Sequence, residues 1–192
     1  MISRRELLVA VPALGLAACA GADPAPTFPA FRFDGGALLL SVAELVIDNQ
    51  YRPLGEGHIE GDFDVPPSRA IEDWAGDRLS AAGTSGKATV IIREASAVQE
   101  RLETTQGISG VFRSEEAWKI TTRLLVDIVA EDQARLITAR ATVRAERTRT
   151  LLENVTLIER RQAYYTLSGD LIREFDRQAV AAIRQNMRPF LG

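Results

Sequence analysis

Apolar and polar positions fall into recurring periods along most of the chain. The first segment to stand out, residues 7–18 (LLVAVPALGLAA), is apolar without a break in charge and holds Pro12 and Gly15. As a helix it would reach only ~18 Å, short of the roughly 30 Å hydrocarbon core, so it reads as a cleaved signal segment rather than a membrane span. Residues 38–50 (LLLSVAELVIDNQ) predict a first strand. After a loop ending Val65-Pro66-Pro67-Ser68, Ile71, Trp74, Ala75, Leu79 and Ala82 recur at helical spacing, with Glu72, Asp73 and Asp77 opposite. The prolines or Ser68 start this helix and Gly83 ends it, about four turns on. Three strands follow. Residues 88–97 are β-branched and apolar on both faces at their start. In the next strand Trp118, Ile120, Leu124, Val126 and Ile128 lie on one side, and Lys119, Thr121, Arg123 and Asp127 on the other. After a turn at Glu131-Asp132-Gln133, residues 135–149 place Ile137, Ala139, Ala141, Val143 and Ala145 inward. The chain closes with a helix over 155–187, whose stripe is Tyr164, Leu167, Leu171, Phe175, Ala179, Ile183 and Met187, with Ser168-Gly169 as a place for a kink.

The order is therefore strand, helix, strand, strand, strand, helix. A sheet with one apolar face and two amphipathic helices bury each other only if both helices cover that face. The expectation is an α+β two-layer sandwich with an antiparallel or mixed sheet, both helices on one side and a polar far face.

Composition narrows the class without naming a function. The chain has 192 residues, 46% hydrophobic and 26% charged, enough for one domain with an ordinary core. A net charge of -3 and a pI near 5.4 speak against a nucleic-acid partner. One Cys allows neither an internal disulfide nor a cysteine-based metal cluster.

That Cys closes the apolar run. Leu16-Ala17-Ala18-Cys19 resembles the bacterial lipobox. By that resemblance Ala18 and Cys19 flank the cleavage site, and Cys19 carries the lipid that holds the protein to a membrane. Ala20 in place of Asp leans toward the outer rather than the inner membrane. Arg4 and Arg5 fit two export routes equally: a twin-arginine motif, or the basic start of a general secretory signal. The implied organisation is a signal peptide over 1–18, a lipidated Cys and flexible Ala/Pro-rich tether over 19–30, and one periplasmic domain over 31–192. Together with the segment Trp74-Ala75-Gly76-Asp77-Arg78-Leu79-Ser80-Ala81-Ala82-Gly83 and the strand 89–95, the lipobox resembles a family of alphaproteobacterial lipoproteins to which no activity attaches. In element order alone the chain is similar to auxiliary lipoproteins of ABC-type transport systems and to the N-terminal domain of the Tol-Pal translocation protein; such likeness is analogy.

Candidate chemistry is sparse. His58, Glu60, Asp62 and Asp64 alternate in HIEGDFD, and an extended backbone would align them for a divalent metal; Gly57 and Gly61 favour a solvated acidic loop instead, so no metal is expected. Gly83-Thr84-Ser85-Gly86-Lys87 fails as a phosphate loop, since residue 81 is Ala and Ala88 opens a strand. Arg140, Arg144 and Arg149 with Lys119 and Arg123 offer a basic stripe on the open sheet face, for an anionic partner or simply for solubility. His58 is the only His, and no Gly-x-Ser-x-Gly elbow is present. The expectation is a non-catalytic envelope module, with no cofactor, that contacts another envelope protein. The alternatives are a binder of lipid or another amphiphile between helices and sheet, and, less well supported, a hydrolase built around His58.

Overall fold

The computed structural model describes residues 26–102 and 116–192. Two short strands, β1 (Leu38–Leu40) and β2 (Glu44–Asn49), stand where one was expected. Helix α1 (Pro67–Arg78) passes directly into strand β3 (Leu79–Ala81), and three long strands follow: β4 (Lys87–Arg101), β5 (Glu116–Asp132) and β6 (Ile137–Leu152). Helix α2 (Leu157–Asn186) and a single 3-10 turn (Arg188–Phe190) end the chain. The main sheet has the order β2-β4-β5-β6, with β2 parallel to β4 and the rest antiparallel, and β1 pairs with β3 in a separate parallel pair. The architecture is the expected α+β sandwich with a mixed sheet.

The register explains the layers. Across β4, β5 and β6, Val90 lies beside Ile128 and Ile128 beside Ala141; Ile92, Val126 and Val143 form the next row. All six are at most 2% exposed, and Trp74 of α1 and Phe175 of α2 join the same core. A bulge between Ile92 and Glu94 then shifts the inward positions of β4 from even to odd numbers, so that Ala95 and Ala97 continue the covered face. Alanines at 139, 141 and 145 keep β6 thin where α2 lies on it. Every member of the predicted α2 stripe is buried.

Helix α2 begins with a capping box: Thr156 Oγ1 accepts from the Glu159 backbone N–H, and Glu159 Oε2 accepts from the Thr156 N–H. It runs without interruption through Ser168-Gly169. Ser168 donates to the Val65 carbonyl at 2.9 Å, and Gly169 admits the ring of Phe31, which would stand 3.1 Å from a Cβ there. Helix α1 is one turn shorter than the pattern predicts, because Leu79 has already turned into β3. Gly83 is not a helix stop: its missing Cβ lets β1's continuation pass, a Cβ there falling 2.5 Å from the Ser41 carbonyl carbon.

The β5–β6 turn lies at residues 133–136, slightly beyond the expected position, and closes with Leu136 at φ 55° and 90% exposed. Asp132 pins it by accepting from Ser85 Oγ at 2.6 Å and Arg135 Nε at 2.7 Å. Those bonds hold its carboxyl down at about 2. Among the described residues no helix is long and apolar enough to cross a membrane.

Candidate functional site

The sole histidine sits where β2 stops covering the edge of β4. Past Asn49 the chain loops out and returns, and residues 57–59 lie against β4: Ile59 N donates to the Ala97 carbonyl and Gln99 N to that of Gly57. Gly57 is required there, with φ 80° and a would-be Cβ 2.9 Å from the Gln99 oxygen. A 3-10 turn (Glu60–Asp62) then folds Glu60 back over His58. Its Oε1 accepts from Tyr51 Oη at 2.6 Å and from Ala97 N at 2.9 Å, and lies 2.8 Å from His58 Nδ1. His58 Nε2 faces the Leu54 carbonyl at 2.9 Å. Both ring nitrogens therefore meet acceptors, which only the imidazolium satisfies in full.

Electrostatics follow that geometry. The bond to Glu60 raises the His58 pKa against the opposing effect of burial. Burial pushes the Glu60 carboxyl up, but bonds from Tyr51, His58 and Ala97 outweigh it and its pKa falls. Burial and then the bond to Glu60 drive the Tyr51 phenol up. The cluster opens on a groove of about 360 Å³ also lined by Arg93, Glu94 and Ser96. What the arrangement does is fasten the 50–60 loop to the sheet. Tyr51, its third member, carried no signal in the sequence.

The other acids of HIEGDFD part company. The 3-10 turn breaks the alternation expected of an extended strand: Asp64 turns to Arg161, its Oδ2 accepting from Nε at 3.1 Å, and Asp62 stays in the turn. Among the described residues no three His, Cys, Asp or Glu side chains converge as metal ligands. In Gly83-Thr84-Ser85-Gly86-Lys87 the first four residues turn between β3 and β4, with Gly86 at φ 77°, and Lys87 opens β4.

The expected basic stripe on the open face is interleaved with acids. Arg123 pairs with Glu146 at 2.9 Å and Lys119 with Glu100 at 3.8 Å. Arg93 pairs with Asp127 at 3.3 Å, and Thr142 donates to the same carboxylate at 2.6 Å. Arg149 does not belong to the stripe: it is in register with Ile120, on the helix-covered side. Arg140 and Arg144 remain on the open face, Arg140 helping to hold the Asp127 carboxyl down.

Where α2 meets the sheet, the space in which an amphiphile was considered, Glu174 and Gln178 line an open pocket of about 370 Å³ with Leu124 and Ala145, while deeper between the layers aromatic side chains pack together. The Trp74 ring meets Phe175 edge-on at 4.9 Å, and both are fully buried. Trp74 Nε1 and Arg78 Nε each donate to Asp176 Oδ1 at 2.8 Å, tying α1 to α2.

Aromatic residues just before β1 dock on the outer side of α2. Phe31 stacks on Tyr165 at 4.8 Å, Phe28 lies 5.1 Å from the same ring, and Tyr165 Oη donates to the Pro29 carbonyl at 3.0 Å. Arg161 covers Phe28 at 5.1 Å. The sequence-derived site residues Arg4, Arg5, Ala18 and Cys19 lie outside the described residues.

No protein-family model and no curated protein sequence matches the chain. Among solved structures it is similar to rare lipoprotein B from Shewanella oneidensis, with TM-score 0.37 and 8% identity, over 74% of this chain and 95% of that one. It is similar also to a minor lipoprotein from Acinetobacter baumannii, with TM-score 0.36 and 16% identity, over 77% of this chain and 96% of the other. Likeness of this extent establishes neither a shared family nor a shared role.

Proposed function

We propose that the chain is a lipid-anchored, non-catalytic accessory module of the cell envelope, held through acylated Cys19 and acting by contact with another envelope protein. The observation that carries this reading is Leu16-Ala17-Ala18-Cys19 at the end of an apolar run too short to span a bilayer. A diacylglyceryl group on that thiol would bring more than one acyl chain and give stable anchoring where a single chain is marginal. Ala20 favours the periplasmic side of the outer membrane. The committed state of His58, both nitrogens engaged in fastening a loop, supports a binding rather than a catalytic role.

Mass spectrometry of the mature N-terminus is the direct test. It should find a chain beginning at Cys19 with added acyl mass, and the Cys19→Ser variant should leave the membrane fraction. Crosslinking in cells followed by purification should recover one defined envelope complex. A wild-type chain without acyl mass, distributed like the variant, overturns the anchor; an anchored chain that crosslinks to nothing overturns the accessory role.

A further inference from the structure

We infer that the domain rests against the bilayer by the N-terminal end of α2, with Leu157, Ile158 and Leu152 in contact with lipid. The inference depends on the Cys19 anchor proposed above and adds an orientation to it. Among the described residues three large apolar side chains are exposed at this end: Leu157 at 73%, Ile158 at 58% and Leu152 at 38%. Leu157 lies two turns before Tyr164, so it continues the core stripe of α2 past the point where described residues cover it.

The path of the preceding chain says what meets this end. Phe33 N donates to Asp77 in the last turn of α1. Phe31 lies on Gly169 and Tyr165, and Phe28 lies on Tyr165 beneath Arg161. Read backward from Phe33, the segment climbs α2 toward its N-terminus. Seven residue steps separate Pro26 from Cys19, which reach at most ~25 Å even when fully extended. Leu157 is one helical turn beyond Arg161, about 6 Å. The opposite end of the domain, where Arg135 covers Phe190 beside the C-terminus of α2, lies about 38 Å further along the helix from Arg161, at roughly 1.5 Å per residue to Asn186. With that end on the membrane, the tether could not reach. The charges at the near end are mixed, Arg101 pairing with Glu153 at 3.3 Å. Apolar contact, rather than attraction to anionic headgroups, is what this surface offers.

The test uses the full lipidated chain, in which an introduced Cys is the only free thiol, reconstituted into phosphatidylcholine vesicles. Ile158→Cys and, at the exposed far hairpin, Gln133→Cys each receive a polarity-sensitive fluorophore. The probe at 158 should shift to the blue and be quenched by nitroxide-bearing lipid, while the probe at 133 reports water. Adding Leu157→Glu should reduce the shift at 158. Anchored protein with both probes in water, or with lipid contact at 133 alone, overturns the orientation and leaves the anchor standing. Protein that never joins the vesicles and carries no acyl mass overturns the anchor, and the orientation with it.

Discussion

Replacing Asp176 by Ala removes the one acceptor shared by two buried donors. Its Oδ1 takes the Trp74 indole N–H and the Arg78 guanidinium Nε, each at 2.8 Å. Trp74 is fully buried and the Arg78 side chain is 7% exposed, so neither donor can turn to bulk water. Arg78 would keep only its bond to the Gly36 carbonyl. Removing one partner of a buried ion pair costs about 3–5 kcal/mol, because the other charge is left buried and unpaired. Asp176 itself is 25% exposed, so water can reach part of the vacated site. The lower end, ~3 kcal/mol, is the expectation, equivalent to a fall in Tm of roughly 9 °C for a domain this size. Asp176→Asn keeps an acceptor while removing the charge and should lose about half as much. Pairing Asp176→Ala with Arg78→Met should cost less than the two single changes summed, since the stranded charge is gone. Urea melts followed by circular dichroism measure all four. A loss below ~1 kcal/mol for Asp176→Ala, or strict additivity with Arg78→Met, would refute the idea that this carboxylate joins the two helices.

Three further outcomes follow, one from the Tyr51–His58–Glu60 cluster that fastens the 50–60 loop and two from the glycines. The His58 pKa is raised above 6.5, so its share of stability is full below 6.5 and fades as pH rises through the folded value; that of Glu60 is lowered below 4.5, so its share is full above 4.5 and fades as pH falls. The stability difference between wild type and Glu60→Gln should therefore be greatest between pH 4.5 and 6.5 and shrink on either side; melts from pH 3 to 9 giving a flat difference would contradict it. Gly83→Ala should destabilise by about 1–3 kcal/mol through collision with the Ser41–Val42 backbone. Gly76→Ala, in α1 with nothing within 4 Å of its Cβ, should stabilise by roughly 0.5–1 kcal/mol in the same melts.

The elements legible in the sequence were those whose two sides face different solvents. α2 has one face on the core over 30 residues, and β5 and β6 each have a wet side, so their periods of 3.6 and 2 stand clear. What stayed hidden depended on a second segment. Leu79 keeps the helical spacing of α1 although it already belongs to β3, because a buried leucine satisfies either period over so short a stretch. The bulge at Ile92–Glu94 flips the inward side of β4 without any mark in composition. Arg149 was misplaced for a simpler reason: it has the same parity as Ala145, which the alternation itself assigns to the covered side. Thr156-Leu157-Ile158-Glu159 did carry a readable helix start, the Ser/Thr-x-x-Glu spacing of a capping box.

The candidate site divides along the same line. His58 and Glu60 meet because a 3-10 turn folds one over the other, whereas spacing alone extended them beside Asp62 and Asp64. Gly57 and Gly61 marked a loop there but could not give its path. A lipobox is different in kind, since an export enzyme reads it as extended chain and it needs no tertiary partner to be recognised. The membrane-facing surface proposed above is assembled from residues as distant as Phe28, Leu152 and Leu157, which share one end of α2. The linear signal therefore bears on the proposed anchor, and only the folded path of residues 26–33 bears on the proposed orientation. The two proposals can fail separately: if Cys19 carries the proposed anchor, a chain with Phe28 and Phe31 undocked from Tyr165 should stay in the membrane fraction yet be free to turn.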